Sequence, residues 1–390
     1  MKNLRHFTPI LMILIIVALA AGTVVEKLHG SEYALSHVYS AWWFIVLWAL
    51  FAVVAAVYVF SDRNWKRPTA LTLFLAVACI LLGALLTMLT GQHGRMQLEP
   101  NRPNSHFYTQ DKGKITKEAL PFSLTLNRFE IEKYPNSNKP KDFLSHLQLT
   151  DGEEQKDVVI SMNHILRHKH YRFYQSDYDD QGNSILDVAR DPWGIAATYT
   201  GYALLFVALA AILIKQRKTF PAVTWSWIGV LAVLLVALYI RMRTHQLLPV
   251  LRSPFFSLHI STIVTSYALL LGILVVGVIA LVKPKDAARM ERLKSLSTAM
   301  LYPAVALLAI GIFIGAVWAN VSWGNYWSWD PKEVWALITL LVYAMPLFSN
   351  VLTSFRKPLF FHIYTIIAFL SVIITYFGVN LILGGIHAYN

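Results

Sequence analysis

The strongest constraint on this chain is the recurrence, nine times along its length, of apolar runs near 20 residues that carry almost no charge. A helix rises about 1.5 Å per residue, so each run can cross the roughly 30 Å hydrocarbon core of a bilayer. That core offers no water to an unpaired peptide group, which leaves the helix as the conformation for each run. The spans fall near 8–26, 40–60, 68–91, 194–215, 222–241, 256–282, 299–319, 334–353 and 359–383. A composition that is 56% hydrophobic and only 14% charged agrees with a polytopic membrane protein. The first run has no clear small-residue cleavage site and further spans follow it, so it reads as a membrane helix and not as a signal peptide.

Orientation follows from the short loops. Lys2 and Arg5, then Arg63, Lys66 and Arg67, then Lys215, Arg217 and Lys218, then Lys283, Lys285, Arg289, Arg292 and Lys294, then Arg356 and Lys357 all fall on one face of the membrane. Basic residues collect on the cytoplasmic side, which puts the N-terminus inside and the C-terminus outside. The net charge of +12 is thereby largely a topology signal, and nucleic acid is not an expected partner; the lipid bilayer is. The single cysteine, Cys79, lies inside the third span and reads as a small buried apolar residue. Without a CxxC pair, thiol chemistry must come from a partner.

Only one soluble segment is long, 92–193, and the topology places it outside. It contains strand-like runs at Phe122–Ile131 and Asp157–Asn163, separated by turn-rich stretches such as Pro135-Asn-Ser-Asn. The expected fold class is an all-α polytopic membrane protein of about nine transmembrane helices with one small β-rich extracytoplasmic domain. Its divisions are a three-helix membrane region over 1–91, the external domain over 92–193, a fourth helix with a cytoplasmic linker over 194–221, and a second membrane domain over 222–390.

Chemistry concentrates in an aromatic loop, 318–335, which the topology places at the outer surface. Trp323-Gly-Asn-Tyr-Trp-Ser-Trp-Asp-Pro-Lys-Glu-Val-Trp335 holds four indoles and a phenol within thirteen residues, and Trp318 precedes it. Trp323, Trp327 and Trp329 beside Asp330 make a flat, polarizable surface suited to a large planar ligand. Asp330-Pro-Lys-Glu also reads as a cap that opens the next helix, which gives Lys332 and Glu333 a structural reading. His259, at the outer start of the sixth span, and His387, just past the ninth, reach the same face as the loop. Two imidazoles flanking an aromatic platform could supply both axial ligands of a haem iron. Three arginines, Arg241, Arg243 and Arg252, run against the charge rule at this face. They read either as snorkelling cations or, for Arg243 and Arg252, as a clamp for the carboxylates of an external ligand. His164, His168 and His170 lack a nearby carboxylate or cysteine and read as a solvated face. His362, at the inner end of the ninth span, reads as a snorkelling side chain.

The stretches Leu247-Leu-Pro-Val-Leu-Arg-Ser-Pro-Phe-Phe-Ser-Leu-His259, Trp323-Gly-Asn-Tyr-Trp-Ser-Trp-Asp-Pro-Lys-Glu333 and Gly378-Val-Asn-Leu-Ile-Leu-Gly-Gly-Ile-His-Ala-Tyr389 occur in this order. Together they resemble CcsA, the haem-handling subunit of System II cytochrome c synthases and a member of the wider WWD family. Tyr39-Ser-Ala-Trp-Trp-Phe, Leu-Leu-Gly83-Ala-Leu-Leu-Thr through Gly91-Gln-His-Gly94, and Tyr171-Arg-Phe-Tyr-Gln-Ser-Asp-Tyr through Arg190-Asp-Pro-Trp-Gly resemble the ResB partner subunit. The chain thus looks like a compact CcsBA fusion along nearly its whole length. The resemblance implies haem-iron ligation by His259 and His387 beside the loop, and a location in the bacterial cytoplasmic (inner) membrane. It implies haem b as ligand and substrate, attached through thioether bonds to apocytochromes c bearing CxxCH, with an external thiol reductant or thioredoxin-like protein as partner. Carriage of haem to a separate synthase, without bond formation, is the alternative. The family also has one histidine in the third span and one in the span after the loop; here those positions fall on Phe74 and Phe348.

Overall fold

The computed structural model describes residues 7–61, 66–111 and 114–384. Among them, nine helices are long and apolar enough to cross a membrane. They belong to α1 (Phe7–His29), α3 (Trp42–Ser61), α4 (Pro68–Thr90), α5 (Pro192–Thr219), α6 (Pro221–Thr244), α7 (Pro254–Leu281), α8 (Ala287–Trp323), α9 (Pro331–Ala344) and α10 (Pro358–Ile373). Between the first two of these, a short helix α2 (Ser31–Ala34) runs into a π turn, Leu35–Tyr39. Proline opens six of the helices, where its missing N–H costs nothing and its fixed φ suits the first turn. The span of α9 continues through a 3-10 turn, Met345–Phe348, and that of α10 through π turns, Ile374–Leu383.

The helix α8 begins twelve residues before the apolar run that marks it in the sequence. Its first two turns, Ala-Ala-Arg-Met-Glu-Arg-Leu-Lys, carry too much charge to read as membrane, yet Asp286 caps them by accepting from the Arg289 amide (3.0 Å). At 37 residues the helix is about 55 Å long, and it is the most enclosed span of the bundle.

Close helix contacts rest on small residues. A Cβ on Gly83 would stand 2.2 Å from Oγ1 of Thr198, and one on Gly201 would stand 2.7 Å from the Ile80 side chain, so α4 and α5 pack almost backbone to backbone. Elsewhere the helices interlock through side chains. Ile15 and Leu19 of α1 pack with Val334 and Ile338 of α9, and Tyr39 and Phe44 close the same cluster. The N-terminal helices therefore grip an element that lies near the other end of the chain.

The segment between α4 and α5 corrects the expected fold class. It is no small appendage to an all-α protein but an eight-stranded antiparallel sheet that fills Gln92–Arg190, so the molecule combines α and β architecture. The strands are β1 (Gln92–Leu98), β2 (Pro103–Asp111), β3 (Lys114–Lys133), β4 (Pro140–Asp151), β5 (Glu154–Ile160), β6 (Leu166–His168), β7 (Tyr171–Tyr178) and β8 (Ser184–Arg190), in spatial order β5-β4-β3-β2-β1-β8-β7-β6. The sheet curls until its two ends meet. Ser145 of β4 donates to Oε1 of Gln175 in β7 (2.6 Å) across the interior, and Ser161 bridges His164 at the seam. Most strands escaped the sequence reading because each sends few apolar residues inward. In β1 only Met96 and Leu98 are buried, and in β2 only Phe107, while the outer faces are polar. Pooled, these residues form one core with Leu124, Leu126, Leu147, Phe173, Leu186 and Val188. Each such side chain contributes about 1.5–3 kcal/mol on burial.

This β domain sits on one end of the bundle. Tyr134 donates to the Leu247 carbonyl (2.9 Å), Asn163 Nδ2 donates to the Pro249 carbonyl (2.8 Å), and β7 meets the end of α8.

Candidate functional site

The end of α8 that meets the β domain leads straight into the aromatic loop. Gly324 closes the helix with φ at 88°, a conformation that only glycine adopts freely, and a Cβ there would also strike the Tyr174 ring at 2.9 Å. At the far end Asp330, buried, accepts from the Lys332 amide (2.9 Å) and starts α9. Glu333 accepts from the Ser328 amide (2.9 Å), and Nζ of Lys332 donates to Oδ1 of Asn380 (2.9 Å) in the last span. The loop is thus pinned at both ends and tied to the C-terminal helix, and the capping reading of Asp330 and Glu333 describes their geometry.

Within the loop the indoles divide into two groups. Trp318, fully enclosed, stands 6.5 Å from the His259 ring with planes 21° apart, and meets Trp323 edge-on at 5.0 Å and Phe256 at 5.0 Å. Trp329 takes φ at 58°, a strained backbone for an aromatic residue, and is held there by stacking on Tyr39 (4.6 Å, 6° between planes). Phe44 abuts the same ring at 5.5 Å and Trp327 lies edge-on to it at 5.9 Å.

His259 is set by α8. Its Nδ1 lies 2.7 Å from the Gly311 carbonyl; a carbonyl only accepts, so Nδ1 carries a proton, and in the neutral ring the lone pair resides on Nε2. That is the tautomer a metal-ligating imidazole uses, with the second nitrogen oriented by a backbone oxygen. The approach depends on Gly315, where a Cβ would stand 2.6 Å from Nδ1.

Around the loop lie four buried hydrogen-bonding groups with no partner among the described residues: Nε1 of Trp318, Nε1 of Trp327, the hydroxyl of Tyr326 and Oγ of Ser322. Leaving one such group unpaired costs about 1–3 kcal/mol, so four round a single loop make it the candidate site. Tyr326 packs edge-on against Tyr199 (5.7 Å) and Tyr202 (6.2 Å), and its burial raises the phenol pKa, keeping it protonated.

The structure brings His259, Trp318 and Trp323 into one cluster and Trp327, Trp329 and Asp330 into its neighbour. His387 lies outside the described residues. Arg243 lies over the Tyr239 ring of its own helix (5.4 Å), whereas Arg252 lies over Tyr134 of the β domain (5.7 Å), so the two guanidinium groups engage different rings. Among the other histidines, His168 pairs with Asp151 (2.9 Å) and His164 with the Val159 carbonyl (3.0 Å). His362 does not snorkel; it is fully buried beside Phe361. Phe74 meets Phe60 edge-on at 5.8 Å, and Phe348 packs on the core between α7 and α10.

Sequence reasoning missed Tyr39 and Phe44 as loop residues, and it missed Asn320. The last had a signal: a polar side chain inside an apolar span is expensive and so marks a function. Asn320 is buried, accepts from Nη1 of Arg172 (3.0 Å) and from the Tyr199 hydroxyl (3.3 Å), and donates to the Gly324 carbonyl (3.0 Å).

Fold and helices define a multi-pass membrane protein whose aromatic loop lies where a β domain meets the bundle. Residues 194–387 match the family model described as cytochrome C assembly protein, and residues 58–190 match that of the ResB-like family. The chain is 38% identical to protein NrfI of Wolinella succinogenes over 37% of its own length and 17% of that protein. It is 35% identical to the cytochrome c biogenesis protein CcsA of Prochlorococcus marinus, over 37% of this chain and 57% of the relative, and 39% identical to CcsA of Chlamydomonas reinhardtii, over 37% and 42%. The alignments thus span at most 57% of these relatives. Residues 194–387 thus belong to the cytochrome c assembly family and residues 58–190 to the ResB-like family, an arrangement that supports a CcsBA-type protein and a role in cytochrome c biogenesis.

Proposed function

We propose that the protein holds haem b at the extracytoplasmic membrane face and promotes its covalent attachment to apocytochromes c that present a CxxCH segment. The observation that carries this reading is the His259 cluster: an imidazole fixed as the Nδ1–H tautomer, beside two indoles, with unpaired polar groups nearby. These features fit a flat macrocycle with a metal centre and polar edges. Haem is the substrate here. His259 and His387 are its axial ligands; Trp318, Trp323, Trp327 and Trp329 form the wall against which the ring lies, and Asp330 holds that wall in place. Arg243 and Arg252 meet the propionates.

The bond-forming step adds a cysteine thiol across a haem vinyl group. Sulfur bonds to the carbon next to the ring and a proton goes to the terminal carbon, so no electrons are exchanged. Both cysteines must arrive reduced, which calls for an external thiol reductant or thioredoxin-like protein. The incoming histidine of CxxCH then replaces one protein ligand and the product leaves. In this reading the N-terminus is cytoplasmic, the β domain and loop face outward, and the membrane is the bacterial inner membrane.

Co-expression with a c-type apocytochrome, in a host stripped of its own maturation system, tests the proposal. Covalent haem on the reporter is the expected result, and haem that co-purifies with the protein while the reporter stays bare would favour a haem chaperone instead. His259→Ala and His387→Ala should each lower bound haem; an unaltered Soret band in both would falsify axial ligation.

A further inference from the structure

At Asn320 the β domain, α5 and the aromatic loop meet. Its Oδ1 receives hydrogen bonds from Arg172 of β7 and Tyr199 of α5, and its Nδ2 donates to the Gly324 carbonyl, the first peptide of the loop. With both ends of the amide engaged, its flip is fixed: turning it would set Nδ2 against the Arg172 guanidinium and Oδ1 against a carbonyl. Tyr174, two residues from Arg172 on β7, packs its ring against Gly324 from the other side. The turn that aims Trp323 and Tyr326 is therefore held from within by Asn320 and from above by the β domain.

We propose that Asn320 is a positioning residue that transmits the seating of the β domain to the aromatic loop, so that the loop presents its tryptophans only while Arg172 is docked. Arg172 is the sensor in this arrangement and Gly324 the output. A displacement of β7 withdraws the guanidinium, frees the amide to rotate, and releases the Gly324 carbonyl. The seating of the β domain thereby reaches the haem-handling loop through the Asn320 amide, beside the direct contact of Tyr174 with Gly324. The coupling to activity rests on the haem-attachment reading above; the coupling to loop conformation does not.

The test keeps those two apart. A spin label at Asn325→Cys, an exposed position in the loop, is placed on the full-length protein in a Cys79→Ala background, with Arg172→Gln, Asn320→Asp and Asn320→Ala as variants. Asn320→Asp keeps the shape and the pairing with Arg172 but cannot donate to Gly324, so it guards against loss through misfolding. Losing one such hydrogen bond should raise the ratio of mobile to immobile label roughly fivefold in each variant. Arg172→Gln combined with Asn320→Ala should go no further than either alone, because both act through one joint. Haem attachment to a CxxCH reporter should slow by roughly tenfold in kcat, with KM for the reporter unchanged. Label spectra identical to the parent, or effects that multiply in the double variant, overturn the joint. A mobile loop with an unchanged attachment rate overturns its link to activity. A parent protein that neither binds nor attaches haem defeats the haem reading, and the label spectra still decide the joint.

Discussion

At Gly315 a Cβ would stand 2.6 Å from Nδ1 of His259, so any side chain pushes the imidazole out of the groove that α8 makes for it. Gly315→Ala should weaken haem binding by about 1–3 kcal/mol, the usual range for overpacking a fitted contact. A Soret titration measures it, with Gly272→Ala as control: there the nearest group is the flexible Met300 side chain at 3.2 Å, and affinity should hold. Equal affinities for both variants would remove Gly315 from the account. Residues of this kind differ in how openly the sequence displays them. His259 and the tryptophans announce themselves because their side chains carry unusual chemistry wherever they fall. Tyr39 and Arg172 do not, since their roles exist only once distant partners, Trp329 and Asn320, have been folded against them.

Among the elements, the pair α4 and α5 depends on its ends as much as on its glycines. Asp191 caps α5 by accepting from the Gly194 amide (2.9 Å) and receives the Thr87 hydroxyl of α4 (2.5 Å) with its other oxygen. Asp191→Ala should lower stability by about 1–2 kcal/mol through the cap alone. Thermal unfolding of the purified protein gives the value, and Thr87→Ala should lose less. The β domain offers a second case with a pH signature. Asp151 receives Lys169 and His168, which flank the β6–β7 turn, and these hydrogen bonds, that from Lys169 first, hold its carboxyl below the ordinary 3.8. The folded protein thus binds that proton less readily than the unfolded chain, so the stabilisation is complete above the ordinary value and drains away as acid protonates the folded carboxyl. Asp151→Asn should melt below the parent at pH 7, and the gap should shrink once the pH falls under 3.8. Melting curves followed by circular dichroism across that range would show a constant gap if the clamp is unimportant. Helices were legible in the sequence because a membrane demands long apolar runs. Of the strands only β3 and β5 were, as the runs at Phe122–Ile131 and Asp157–Asn163, because a curled sheet needs only alternate residues to be apolar, and β1 and β2 supply three between them.

For the molecule as a whole, the two halves are woven together and not merely tethered. α1 packs against α9, α5 against α8, and Tyr39 supplies the stacking surface for Trp329. Residues 1–219 and 220–390, expressed together as separate chains cut between α5 and α6, should therefore co-purify through a tag on either one. Recovery of the tagged half alone would show that the joining peptide, and not these contacts, holds the halves in register. No reading of the sequence in order could reveal this weave, since the contacts join the first fifty residues to the last seventy.

The β domain leaves the membrane and returns to it on neighbouring strands. Gln92 of β1 sits opposite Arg190 of β8, directly above the tight pairing of α4 and α5. Those two residues form the rim of a socket for the β domain, and Tyr134, Asn163 and Arg172 are its further points of contact with the bundle. Additional strands or whole subdomains can then be spliced into the distal turns without shifting a single transmembrane helix, provided that β7 still delivers Arg172 to α8. Such a layout lets the β domain vary while the helices beneath it stay the same.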